Sequence, residues 1–296
     1  MNRIYFLLLF LVTAVIGASG QVKEDTRVMV AGAQPCMTVI IPGAEPGFVE
    51  QEWKEYMTSY GKVTKVKGSK ESVVTGIHIV DVGMGDMINA YSLTEEAVGG
   101  TKFIVWIEVG GKYLTSKDST YKKAVSFMDN FVHKVQVDLV AIDLENQQKK
   151  LTQLESNLGK LERQNESLNK IIIDAQLKIE EAETEIPINV STQDAAKADI
   201  DAQKATVDAA KDNPDEMKVQ QKQLTKLESN LTKLQRENES LHKVVTDANA
   251  KIKKAEMDIT TNLEAQEASK TEIANQKIVI DTVQKKLDKM KAQKSK

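Results

Sequence analysis

Four side chains in the first 110 residues have the types that could do chemistry together: His78, Asp81, Asp86 and Glu108. An imidazole among carboxylates can move protons, and three or more such groups can hold a divalent metal if they converge. Their spacing matches no compact ligand motif, and neither His133 nor His242 has a histidine four positions away. His78 falls between Ile77 and Ile79 in a run with strand alternation, where a lone histidine reads as a solvent-side strand residue. Gly83, Gly85 and Asp86 supply part of a phosphate loop, but the third glycine and a well-placed lysine are missing, so a turn between strands accounts for them better. Cys36 has no basic neighbour to activate it and reads as a buried structural thiol. Trp53, Trp106 and the tyrosines sit at helix and strand spacing, which makes them core. No catalytic residue, cofactor or metal ligand is assigned.

The elements that would position these groups are short and mixed. Residues 37–41 are a β-branched run stopped by Pro42 and Gly43. Phe48, Val49, Trp53, Tyr56 and Met57 follow at helical spacing, and Gly61 closes that helix. Strands are read at 63–66, 73–82, 88–93 and 102–109, with hairpins at Gly99-Gly100 and Gly110-Gly111. The expected order is β-α-β-β-β-β with a closing helix from about Ser119. Strands in a row with helices at the ends predict an α+β head, an antiparallel sheet with helices over one face.

Beyond residue 120 the composition changes. All 14 aromatic residues lie at or before Phe131, and Gly159 is the only glycine after Gly111. Residues 147–296 carry 26 basic and 26 acidic side chains, the composition of a long helix or coiled coil. The segment 151–158 returns at 224–231 with one change, Gln153 for Lys226. Over 151–186 and 224–259, an offset of 73, 22 of 36 positions are identical. Such agreement marks a tandem duplication.

Each copy opens with a heptad. The expected seam is Leu151, Leu154, Leu158, Leu161, Asn165, Leu168 and Ile172 in the first copy. In the second it is Leu224, Leu227, Leu231, Leu234, Asn238, Leu241 and Val245. An apolar residue every 3.5 positions must be buried against another helix. Asn165 and Asn238 at a positions have two open readings, a register-setting polar residue or a solvated irregularity. Pro187 and Pro214 disfavour helix, so a hairpin is expected near 186–192 and a break at 213–214. The division is then 1–20, a leader; 21–118, the head; 119–150, a connecting helix; and 151–223 and 224–296, the two coiled-coil copies.

The leader is read from Arg3, the 13 uncharged, mostly apolar residues 4–16, and the small residues Ala18, Ser19 and Gly20. This is the pattern of a cleaved secretory signal, and it lacks the cysteine of a lipoprotein. Export to the periplasm or cell envelope is expected, without stable membrane insertion after cleavage. A net charge of −3 excludes a basic nucleic-acid binder, and one cysteine excludes a disulfide scaffold.

Val105, Trp106, Ile107 and Glu108, followed by Gly110 and Gly111, resemble a strand and turn found in uncharacterised exported proteins of Bacteroidota. Those proteins have a small α+β head followed by a coiled-coil region. The resemblance implies that architecture and carries no activity. The expected function is a non-enzymatic structural or interaction protein, with the head docking or recognising and the coil spacing or assembling. Its partner would be a protein or a second copy. The alternative is a periplasmic holdase gripping clients with helical arms whose tips lie near 186–190.

Overall fold

A computed structural model describes residues 20–293. The leader therefore lies outside the described residues, apart from Gly20. The chain divides into two compact units. One comprises the residues up to Gln148 together with those from Val279 onward, and the other is Lys149–Ile278.

The first unit holds the sheet. Its strands are β1 (Lys23–Met29), β2 (Gly32–Pro42), β3 (Thr64–Lys65), β4 (Ser72–Ile77), β5 (Ile88–Ala97), β6 (Gly100–Val109) and β7 (Lys112–Tyr113). The order is β1-β2-β6-β5-β4-β3, with β7 on β6 and every pair antiparallel. The helices are α1 (Pro46–Met57), the single turn α2 (Val80–Gly83), α3 (Tyr121–Ala209) and α4 (Pro214–Gln293). An antiparallel sheet head followed by long helices is the predicted fold class.

Alternation along β6 shows how the core is built. Phe103, Val105 and Ile107 face α1 and the start of α3, where Val49, Trp53, Met57, Phe127, Met128 and Phe131 close the main core. The Trp53 ring lies 4.9 Å from Phe131 and 5.1 Å from Phe103, centre to centre, both in edge-on contact. Ile104 and Trp106 point the other way, yet both are fully buried, in a second cluster with Met29 and Cys36. Sequence reading expected helices over one face and left the other unaccounted for. It is covered by the β1–β2 hairpin, which bends across it. Arg27 of β1 reaches Glu95 of β5 in a two-pronged ion pair at 2.8 and 2.9 Å, past two intervening strands. The Val30 amide donates to the Glu71 carboxylate at 3.2 Å.

Gly100 is required at its position by contact. A Cβ there would lie 2.2 Å from the Ile41 carbonyl oxygen. The close β2–β6 pairing thus depends on the missing side chain.

Four expectations are corrected. Residues 23–29 form a strand that alternation did not reveal, because β1 is a largely exposed edge with charges at Lys23, Glu24, Asp25 and Arg27. The strand expected over 73–82 ends at Ile77, and α2 follows, so His78 lies outside the sheet and is exposed. The closing helix begins at Tyr121 rather than Ser119. There is no hairpin at 186–192: α3 runs through Pro187 to Ala209, and the chain reverses at 210–213. Proline removes one helical hydrogen bond and clashes with the preceding turn. Pro187 and Glu183, whose carbonyl loses its partner, are both exposed, so the freed carbonyl lies on the solvent side while the buried stripe continues unbroken beneath. Pro214 does start a helix. Asn213 caps it, its Oδ1 accepting from the Glu216 amide and its Nδ2 donating to the Glu216 carboxylate, with Asp215 and Glu216 in the first turn.

Candidate interaction surface

Within the unit Lys149–Ile278, α3 and α4 lie antiparallel. Gln203 donates to Gln220 near the turn, at 2.8 Å to its Oε1 and 3.1 Å to its carbonyl. Lys277 meets Glu155 far from the turn, at 3.5 Å. The buried stripe follows the heptad without interruption along both helices.

The fourteen seam residues named from sequence all lie in this stripe. Leu224 is buried, and Leu151, Leu154, Leu158, Leu161, Asn165, Leu168, Ile172, Leu227, Leu231, Leu234, Asn238, Leu241 and Val245 are half-buried. Ala175, Ala182, Ala248 and Ala255 are more deeply buried, because a small side chain draws the facing helix close. The Oδ1 atoms of Asn165 and Asn238 are buried without a hydrogen-bond partner.

Two polar layers cross the seam. In one, Gln193 Nε2 donates to Asn189 Oδ1 at 2.6 Å, and Asn189 Nδ2 donates to Glu237 at 3.3 Å. In the other, Gln266 Nε2 donates to Asn262 Oδ1 at 2.7 Å, and Asn262 Nδ2 reaches Gln164 Oε1 at 3.5 Å. These four buried amides were not singled out as functional from the sequence. The signal was there: counting by sevens from Leu151 puts Asn189 at a d position and Gln193 at an a position.

In the head, the groups considered for chemistry take separate partners. Asp81 pairs with Lys123 at 3.1 Å, on the surface. Glu108 accepts from Asn89 at 3.0 Å, and Asn89 in turn accepts from the Gly76 amide at 3.0 Å. Burial pushes the Cys36 thiol up to about 11 and the Tyr113 hydroxyl up to about 12. Neither value suits a nucleophile or a proton carrier near neutrality. Lys134 is a half-buried cation of the head, between Glu52 and Asp138. Among the described residues, no group of three or more His, Cys, Asp or Glu is placed to hold a metal, and no helix is long and apolar enough to cross a membrane. Exposed apolar side chains of the head concentrate at Val28 and Val30 beside the β1–β2 turn, and at Val80, Met84 and Met87 around α2. Met84 holds a left-handed backbone, φ +50°, which a long side chain adopts at a cost.

No protein-family model and no curated protein matches this chain. Among solved structures, a coiled-coil segment of Smc from Pyrococcus yayanosii is similar to 54% of the chain, at 19% identity and a TM-score of 0.47, with 66% of that structure covered. The Smc head domain with a coiled coil and joint, derived from the same organism, aligns over 94% of this chain and 69% of its own, at 11% identity and a TM-score of 0.22.

Proposed function

We propose that this chain is an exported, non-enzymatic interaction protein of the periplasm or cell envelope. In this reading the head docks on a protein partner, and the paired helices serve as a stiff spacer. The observation that carries it is the continuous heptad stripe, closed between α3 and α4 and locked by two polar layers. Such an arrangement provides reach and rigidity, and it asks nothing of reactive groups. Supporting it, Asp81 and Glu108 are engaged in local ion-pair and hydrogen-bond contacts rather than directed together. The exposed residues around α2 supply the apolar surface for docking: Val80 is 82% exposed and Met84 75%.

The holdase alternative placed client-gripping tips near 186–190. In the structure those residues lie within α3, and Asn189 is buried in a polar layer, so the tips it relied on are elsewhere.

The test has two parts. Producing cells are fractionated, and the chain is expected in the periplasm or envelope, shortened at its N-terminus. A photo-crosslinking residue at Met84 should then form a discrete protein adduct that is absent with the same group at Lys251, on an exposed helix face. A full-length cytoplasmic chain would overturn export. Equal labelling from both positions would overturn docking through the head.

A further inference from the structure

We infer that the seam of each long helix is a self-recognition surface, and that the partner it fits is the same helix of a second copy of this chain. The two polar layers are one layer seen twice. Asn262 is the equivalent of Asn189 at the 73-residue offset, and Gln164 is the equivalent of Glu237. The contact Asn189–Glu237 therefore recurs with the helices exchanged, as Asn262–Gln164. The bond between Gln193 and Asn189 recurs as the one between Gln266 and Asn262, with lengths of 2.6 and 2.7 Å. Buried Ala175, Ala182 and Ile200 recur as buried Ala248, Ala255 and Ile273. Even the unpaired Oδ1 atoms recur, at Asn165 and Asn238.

An antiparallel pair whose contacts map onto themselves when its members are exchanged has an internal two-fold relation. Such a surface is isologous, and isologous surfaces pair with copies of themselves. What α3 meets on α4 is close to a second α3. Two copies of α3 would pair antiparallel, with Asn189 of each on Gln164 of the other. Two copies of α4 would place Asn262 on Glu237. In the intact chain the sister helix is tethered by the turn at 210–213, and its high effective concentration excludes a second molecule. Disabling one helix frees the seam of the other for a second copy. This inference rests on the seam alone and stands or falls separately from export and from docking by the head.

The test uses the full chain. Leu227, Leu234 and Leu241 are changed to Asp, which leaves α3 intact and without its sister. Light scattering should show twice the monomer mass at micromolar concentration. Trp53 and Trp106, both in the head, should keep native fluorescence and report that the head is folded. A Gln176→Cys substitution marks the axis midway between Gln164 and Asn189. It should crosslink to itself with a short bismaleimide, whereas Glu155→Cys should not. Cys36 does not compete, being buried with a raised thiol. The reciprocal variant, Leu154, Leu161 and Leu168 to Asp, should dimerise through α4 and crosslink at Asn249→Cys. Monomers from both variants would overturn the inference. So would dimers that crosslink at Glu155→Cys as readily as at Gln176→Cys, because that is parallel pairing.

Discussion

Lys134 illustrates how a single residue ties the head together. Burial alone would lower its pKa, but the hydrogen bonds its ammonium donates to Asp138 and Glu52 outweigh that and raise it. Glu52 is only 8% exposed, so this pair ties α1 to α3 beside the aromatic core. Removing the cation would leave a buried carboxylate without its partner. Lys134→Met is expected to cost about 3 kcal/mol, read as a lower urea midpoint of Trp fluorescence near pH 8. The pH dependence follows from the direction of the shift. A cation held more tightly in the folded state contributes fully below its unfolded pKa, about 10.4, and that contribution is lost as pH rises through the higher folded value. The gap between wild type and Lys134→Met should therefore be constant from neutrality to about pH 10 and narrow above it. A gap that is unchanged at pH 11 or above would mean that Lys134 contributes through packing rather than charge.

At the scale of elements, the long helices depend on their seam more than on their ends. Each polar layer is a linked pair, and the two members are not equivalent to remove. Asn189→Leu takes from the buried Gln193 Nε2 its shorter acceptor, leaving only the Leu234 carbonyl at 3.4 Å, and should cost about 1–2 kcal/mol by far-UV circular dichroism melts. Asn262→Leu should cost a similar amount, since Gln266 stands in the same relation to it. Replacing Asn189 and Gln193 together by Leu removes both polar groups and should instead raise the melting midpoint above that of either single variant. If the double replacement is as damaging as Asn189→Leu, the layer contributes more than its own satisfaction. The Asn165 and Asn238 readings meet here too. Both sit in the stripe with a buried Oδ1 that has no hydrogen-bond partner in the protein, so each disfavours the pairing it occupies.

For the whole molecule, each seam has its partner within the same chain. In the first unit Val140 and Leu144 of α3 pack on Leu287 of α4, and in the second the heptad stripe closes between the same two helices. The intact protein should run as a monomer of about 30 kDa by light scattering at micromolar concentration. A stable dimer of the unaltered chain would show that the helices already pair between molecules, and that the tether at 210–213 does not outcompete a second copy.

Much of this was legible in the residues alone. The heptad, the aromatic-rich head, the glycine hairpins and the 73-residue recurrence are properties of order along the chain, and local periodicity reports them directly. The break at 213–214 was legible for the same reason, since a proline acts on adjacent residues. What the helices pair with was not. A seam states that it must be covered, and only the position of the reversal, at 210–213 rather than beside Pro187, decided that α4 covers α3. A proline breaks a helix only when its surroundings do not hold it, and at Pro187 the seam on either side does. The second buried face of the sheet was equally out of reach, because the charged edge strand β1 and the turn after it cover it through Arg27 and Val30, whose partners lie 68 and 41 residues away. Contacts between distant segments leave no local period in the sequence, and those are the contacts that tertiary structure decided.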